Sequence, residues 1–336
     1  MPTLLTRRRL MAGTALLLPA LTLGPDALFA QDSSATPSTP AATDNSATPD
    51  ASGQGMQGTE GDGGSQDNSQ LSDDVDKQLA DLEKKTGGRL GVSVLDTETN
   101  ISLGHREEER FPLCSTYKAL AVGFVLARVD QGTEKLDRRV AYGKDKVVTY
   151  SPETEKHAGA DGMTVAELCG AAITLSDNTA GNLLLESFGG PAALTSWLRT
   201  TGDTETRLDR NEPDVNQAVK DDPRDTTTPD AMLDSIGLLT LGNTLSETSR
   251  DQLVNWLVAN TTGNNRLRAG LPKEWKVGDK TGTGNNGSYA DVAVIWPPER
   301  GPILVTTFVA EATAPAKDVE AVFAEVSRIV TGMVGQ

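Results

Sequence analysis

The sequence predicts a mixed α/β domain of the α+β type. Its expected form is a five-stranded, mostly antiparallel sheet flanked by terminal helices, with an all-helical domain inserted between the two halves of the sheet. Three observations predict it. Strand alternation occurs near both ends of the domain, at Leu90, Val92 and Val94 and again in three runs over residues 275–311. The stretch between them carries helical spacing and helix caps. A last amphipathic segment, residues 317–334, aligns Val319, Val322, Phe323, Val326, Ile329 and Val330 on one face. The cleft between sheet and helical part is the default site.

Taken in order, residues 1–30 read as an export leader. Arg7, Arg8 and Arg9 form a basic head, and residues 11–23 form an apolar run too short to span a bilayer comfortably. Residues 6–11 are similar to a twin-arginine export motif, with an ordinary secretory leader as the alternative. Residues 31–70 hold six acidic residues, no Lys or Arg and no aromatic, so they read as a disordered linker. The domain is expected over residues 71–336, with 71–110 plus 259–336 forming the sheet part and 111–258 the helical part.

Ser72 is an N-cap candidate for a helix that Gly87-Gly88 stops. Residues 89–96 and 101–104 should pair as a hairpin across the Thr97–Asn100 turn. Residues 116–130 are apolar enough for a buried helix. Thr164 and Glu167 form a capping box before another, and residues 178–187 make a third. Pro191 and Pro229 suit first helical positions, and residues 246–259 add one more helix. Strands are expected at 275–283, 288–296 and 303–311.

Composition excludes some functions. The chain of 336 residues carries 47 acidic and 31 basic side chains, a formal charge of −16, which argues against nucleic acid as a partner. Two histidines, His105 and His157, cannot build a multi-histidine metal site. A monomer without a transmembrane helix in its mature form is expected. Cys114 and Cys169 read as buried free thiols.

Four short motifs could carry chemistry. Ser115 and Lys118 lie one helical turn apart, where a neutral lysine could take the serine proton. Neutrality requires a site that lowers the lysine pKa, and a buried helix supplies one. Ser176-Asp177-Asn178 falls at a helix junction, Glu212-Pro213-Asp214-Val215-Asn216 in a long loop, and Lys280-Thr281-Gly282-Thr283 on a strand. Each alone has an ordinary structural reading: a helix start, an N-cap, a solvated loop, a strand end.

Together and in this order they resemble the class A serine β-lactamases. The likeness extends over residues 111–118, 150–157, 162–185, 208–216, 222–229 and 277–284, within a region running from about Leu71 to the C-terminus. The resemblance implies hydrolysis of β-lactam antibiotics through an acyl-enzyme on Ser115, with no metal and no cofactor. The backbone N–H groups of Ser115 and Thr283 would form the oxyanion hole. Either Lys118 or Glu212, through a water, would be the acylation base. Ser176 would relay a proton to the leaving nitrogen, beside Lys280. Thr281 and Thr283 would bind the substrate carboxylate, Asn178 its side-chain amide, and Tyr150 would line the site. Glu212 and Asn216 would hold the deacylating water. Arg210 and Asp225 would close the loop as an ion pair, and Glu212-Pro213 could be cis. Arg266 is the candidate guanidinium near the substrate carboxylate, with a surface arginine as the alternative.

The chain also departs from the family. Gly284 and Val122 stand where family disulfide partners of Cys114 and Cys169 would be, so no disulfide is expected. Gly181 stands where alanine is common and should weaken its helix. The rival functions are a D-alanyl-D-alanine peptidase, which lacks the Glu212 loop, and a β-lactam sensor that acylates without turnover.

Overall fold

The computed structural model describes residues 64–159 and 161–334. The leader and residues 31–63 lie outside the described residues. Helix α1 runs from Gly64 to Thr86 and so starts eight residues before the expected Ser72 cap. No proline or β-branched residue interrupts 65–71, so the helix continues back through a segment whose composition reads as linker.

Strands β1 (Arg89–Asp96) and β2 (Ser102–His105) form the hairpin. A two-residue strand β3 (Phe111–Pro112) and a 3-10 turn, Cys114–Thr116, lead into helix α2 (Tyr117–Asp130). Next come β4 (Arg139–Val140), α3 (Thr154–His157), β5 (Met163–Thr164) and α4 (Val165–Thr174). The Thr164–Glu167 capping box starts α4. Helices α5 (Asn178–Ser187) and α6 (Pro191–Thr201) follow, the second with proline in its first turn and Gly202 left-handed at its end. After a long loop come β6 (Thr226–Thr227), α7 (Pro229–Thr240), α8 (Glu247–Val258) and the one-turn α9 (Leu267–Gly270). Strands β7 (Lys276–Gly284), β8 (Ser288–Trp296) and β9 (Ile303–Ala310) and helix α10 (Ala316–Val334) complete the domain.

The main sheet has the order β2-β1-β9-β8-β7, and every neighbouring pair is antiparallel. It is therefore assembled from both ends of the domain. Strand alternation gives it two apolar faces. One face presents Leu90, Val92, Val94, Ala293, Ile295 and Val305 to Leu79, Leu82, Val319, Phe323 and Val330 of α1 and α10. The other presents Ala290, Val292, Val294, Leu304 and Phe308 to the helical part.

Helix α2 is the axis of that part. From Tyr117 to Ala127 all its residues are buried except Phe124, and Phe124 packs on Phe188 and Trp197. Each large aliphatic side chain taken out of water here contributes about 1.5–3 kcal/mol. That packing is what puts Lys118, in the first turn, into the interior with no exposed surface.

Candidate active site

Ser115 sits in the 3-10 turn, 7% exposed. The turn is tied down on both sides. Thr116 donates its hydroxyl to the Leu113 carbonyl at 2.6 Å, and the Leu113 N–H donates to the Asp225 carbonyl at 2.8 Å. Cys114, immediately before Ser115, has φ +44°, a left-handed conformation unusual for a residue with a side chain. Gly282 on β7 lies close by. A Cβ added there would come within 3.0 Å of the Leu113 carbonyl and 3.2 Å of the Ser115 nitrogen. Glycine thus lets the strand carrying Thr281 and Thr283 approach the serine backbone.

Lys118 Nζ has four oxygen neighbours. It donates to Ser115 Oγ at 2.9 Å, to the Ser176 carbonyl at 2.8 Å and to Asn178 Oδ1 at 2.6 Å, and it lies 3.0 Å from Glu212 Oε1. An ammonium has three protons, so it cannot serve all four at once. Burial lowers the Lys118 pKa, and the Glu212 carboxylate opposes that shift. Lysine can therefore trade its proton here more readily than in water.

Glu212, 4% exposed, accepts from Ser115 Oγ at 3.1 Å through Oε1 and from Asn216 Nδ2 through Oε2. Its peptide bond to Pro213 is cis. Asn216 Oδ1 is buried and has no protein partner. The loop that carries both residues is closed by Arg210 and Asp225: Arg210 Nε lies 2.5 Å from Asp225 Oδ2. The Asp225 carboxylate also accepts the backbone N–H groups of Asp209 at 2.7 Å and Arg210 at 2.9 Å. Pairing of β3 with β6 joins the loop's far end to the strand before Ser115.

Ser176 lies between α4 and α5 with φ +57°. Its hydroxyl accepts from Lys280 Nζ at 2.9 Å, while Lys280 also donates to the Thr281 carbonyl at 2.7 Å. In the β7–β8 register Lys280 faces Val292, so its side chain points toward the helical part. Burial pushes the Lys280 pKa well down, and the nearby Lys118 charge pushes it further. Asp177 caps α5 by accepting the Ala180 N–H at 2.9 Å. It also accepts Thr154 Oγ1 at 2.7 Å and the N–H groups of Thr154 and Glu153 at 2.9 and 3.0 Å. The ordinary N-cap reading of this motif therefore holds for Asp177, while Ser176 and Asn178 on either side of it reach the lysines.

Arg266 is 5% exposed, which excludes a surface arginine. Its Nη1 donates to the carbonyls of Gly282 and Ala290, both at 2.7 Å, and its Nη2 donates to Thr283 Oγ1 at 2.6 Å. Thr283 is exposed, and Thr281 Oγ1 lies 2.5 Å from Thr262 Oγ1. Tyr150 is 59% exposed with φ +63°, and its carbonyl accepts the Asn178 N–H at 3.0 Å. Asn178 Nδ2 donates to the Thr149 carbonyl at 2.9 Å. Cys114 and Cys169 are free and buried, as expected; burial pushes the Cys114 thiol up to about 12 and raises that of Cys169.

Two contacts at the site were not foreseen from sequence. Asn182 holds the Glu212 peptide at both ends: its Oδ1 accepts the Glu212 N–H at 2.8 Å and its Nδ2 donates to the Glu212 carbonyl at 2.9 Å. Its position four residues after Asn178, on the same helix face, was the available signal. Thr262, which fixes Thr281, carried none.

Residues 74–334 match the profile of a family described as the Beta-lactamase enzyme family. The chain is 46% identical over 260 residues to β-lactamase OXY-1 of Klebsiella oxytoca, covering 77% of this chain and 89% of that protein. It is 48% identical over 261 residues to β-lactamase AST-1 of Nocardia asteroides, covering 78% and 84%. Among solved structures, an ancestral (GNCA) class A β-lactamase superposes with TM-score 0.76 at 62% identity, covering 77% of this chain and 99% of that one. A putative class A β-lactamase, PenP from Rhodopseudomonas palustris, gives TM-score 0.76 at 56% identity, with the same coverage. With fold, sequence and the arrangement around Ser115 in agreement, the chain belongs to the class A β-lactamases.

Proposed function

We propose that this protein opens the β-lactam ring of antibiotics by attack of Ser115 and then hydrolyses the resulting ester. The observation that carries the reading is that Ser115 Oγ lies 2.9 Å from a buried lysine nitrogen and 3.1 Å from the carboxylate of Glu212. The serine proton passes to Lys118 or, by way of a water, to Glu212. Negative charge on the lactam oxygen is met by the Ser115 and Thr283 N–H groups. The lactam nitrogen takes its proton from Ser176, which Lys280 resupplies. Lys280, Thr281 and Thr283 hold the substrate carboxylate, with Arg266 supporting Thr283 from behind. Asn178 and Tyr150 meet the substrate side chain. Glu212 and Asn216 then activate the water that cleaves the acyl-enzyme, which separates a hydrolase from a peptidase or a sensor. No residue in this sequence of steps calls for a metal or a cofactor.

Turnover of a chromogenic cephalosporin by the purified protein, with and without chelator, tests this reading. Stoichiometric acylation without turnover would defeat the hydrolase, and loss of activity to chelator would defeat the serine mechanism. Glu212→Ala should acylate and accumulate a mass-shifted adduct; normal turnover by that variant would remove Glu212 from the deacylation step.

We further propose export in the twin-arginine manner, release of a monomeric mature protein outside the cytoplasm, and a spacer role for residues 31–63. The arginine-rich head and the short apolar run support the first of these. Arg7→Lys with Arg8→Lys should leave the precursor inside the cell; unchanged export points to the ordinary secretory route. Division into a sheet part and a helical part at about residues 110 and 258 belongs to the same reading.

A further inference from the structure

Two residues beside the reacting groups each carry a cost that nothing described so far explains. Tyr117, between Thr116 and Lys118, is fully buried, and its hydroxyl has no hydrogen-bond partner. A buried hydroxyl without a partner is destabilising. Gly181, the fourth residue of α5, is also buried, in a helix where glycine is less favourable than alanine. It does not have a positive φ, so its backbone does not require glycine.

The absence of a side chain at 181 is accounted for by Tyr117. A Cβ added at Gly181 would sit 2.6 Å from the Tyr117 hydroxyl oxygen and 3.0 Å from Lys118 Cε, with Lys118 Cδ at 3.6 Å. Real Cβ atoms essentially never come within 3.0 Å of such neighbours. The missing methyl is the space that the phenol oxygen and the lysine stem occupy. Gly181 also falls between Asn178, which accepts from Lys118 Nζ, and Asn182, which holds the Glu212 peptide. The depth at which this helix face meets Lys118 therefore bears on both the lysine and the loop carboxylate.

We propose that the Tyr117 hydroxyl and the absent side chain at Gly181 form a matched pair that positions Lys118 for proton transfer during acylation. The inference rests on the β-lactam hydrolase reading. Both members are positioning residues, since neither touches substrate. The charged groups whose fields reach Lys118 are Glu212 and Asp177, and Lys280 shares the site, so a displaced lysine changes its titration as well as its reach.

The test is a double-mutant cycle of Gly181→Ala, Tyr117→Phe and the pair combined. Stopped-flow acylation by a chromogenic cephalosporin is followed from pH 5 to pH 9, with melting temperatures alongside. Gly181→Ala should slow acylation by about ten- to hundredfold, the range expected when a reacting group shifts by up to an ångström. It should also shift the pH limb of acylation. In the double variant, where the phenol oxygen is gone, most of that rate and the original limb should return. Acylation by Gly181→Ala at the wild-type rate, or no recovery in the double variant, overturns the pairing. If Gly181→Ala alone does not fold, the double variant decides: it must fold and acylate. Wild-type protein that never acylates defeats the hydrolase reading instead. The pairing is then read from NMR titration of the Lys118 amine, where a Gly181→Ala change that the double variant does not reverse overturns it.

Discussion

Replacing Asn182 with alanine removes both hydrogen bonds that hold the Glu212 peptide, at 2.8 and 2.9 Å, and leaves the carboxylate's own contacts intact. Each such bond contributes about 0.5–1.5 kcal/mol net, so the pair contributes about 1–3 kcal/mol. Asn182 is half-buried, so water can replace part of that, and the lower half of the range is expected. In a domain of this size the melting temperature should fall by about 2–6 °C. The kinetic effect should be larger and selective. In the proposed mechanism Glu212 holds a water in line with the ester, and an ångström of misplacement costs on the order of a hundredfold. The turn that carries Ser115 is anchored by Thr116 on the Leu113 carbonyl and by Leu113 on the Asp225 carbonyl, contacts in which Asn182 takes no part. Rapid-quench mass spectrometry should therefore show acylation within a fewfold of wild type, followed by an acyl-enzyme that persists about a hundred times longer. Asn182→Asp should behave similarly, because it places an acceptor against the Glu212 carbonyl. Equal slowing of both steps, or normal deacylation, would refute the argument that this amide sets the carboxylate.

Three other outcomes are expected. Arg266→Ala removes the donors to Gly282, Ala290 and Thr283, so kcat/KM should fall about ten- to hundredfold, as for a site left with unpaired polar groups. Lysine there should not restore it, because one ammonium cannot replace a three-way fork; full rescue in steady-state kinetics would refute this. Free-thiol titration without reductant should find two thiols on unfolding and almost none in the native state, where Cys114 and Cys169 are buried; finding none after unfolding would mean a bridge. The third concerns Asp291, buried near Asp279, with Oδ2 accepting the Leu267 N–H at 3.1 Å. Burial, and then the Asp279 charge, raises its pKa well above the ordinary range. The folded state then holds a proton that the unfolded state releases, so this group lowers stability as pH rises from about 4 toward the folded pKa, by about 1.4 kcal/mol per pH unit. Asp291→Asn should gain stability over wild type in urea melts at pH 8 relative to pH 5; an equal difference at both pH values would count against the assignment.

Much of the fold was legible because its signals are local. Alternation at Leu90, Val92 and Val94 gave β1, the Thr164–Glu167 box marked α4, and Pro191 and Pro229 marked α6 and α7. The start of α1 was not, since a polar segment without helix breakers reads equally as linker. The two-residue pairs β3–β6 and β4–β5 were not, because such short ladders exist only where tertiary packing brings the segments together. At the site, the residues of the four motifs could be named but their common cluster could not be derived from spacing, since Ser115, Ser176, Glu212 and Lys280 come from separate segments. Left-handed backbone at Cys114, Tyr150, Ser176 and Asp225 gave no warning, because none is glycine.

The sheet's strand order also sets a timetable for the newly made chain. The strand beside β1 is β9, with Arg89 facing Ala310, so β1 leaves the ribosome long before its main neighbour exists. Until then the apolar row at Leu90, Val92 and Val94 has only the short β2 beside it. Such distant pairing is slow to form and leaves sticky edges exposed meanwhile. Strand β1 therefore has neighbours on both sides only once β9 has been made, close to the end of the domain.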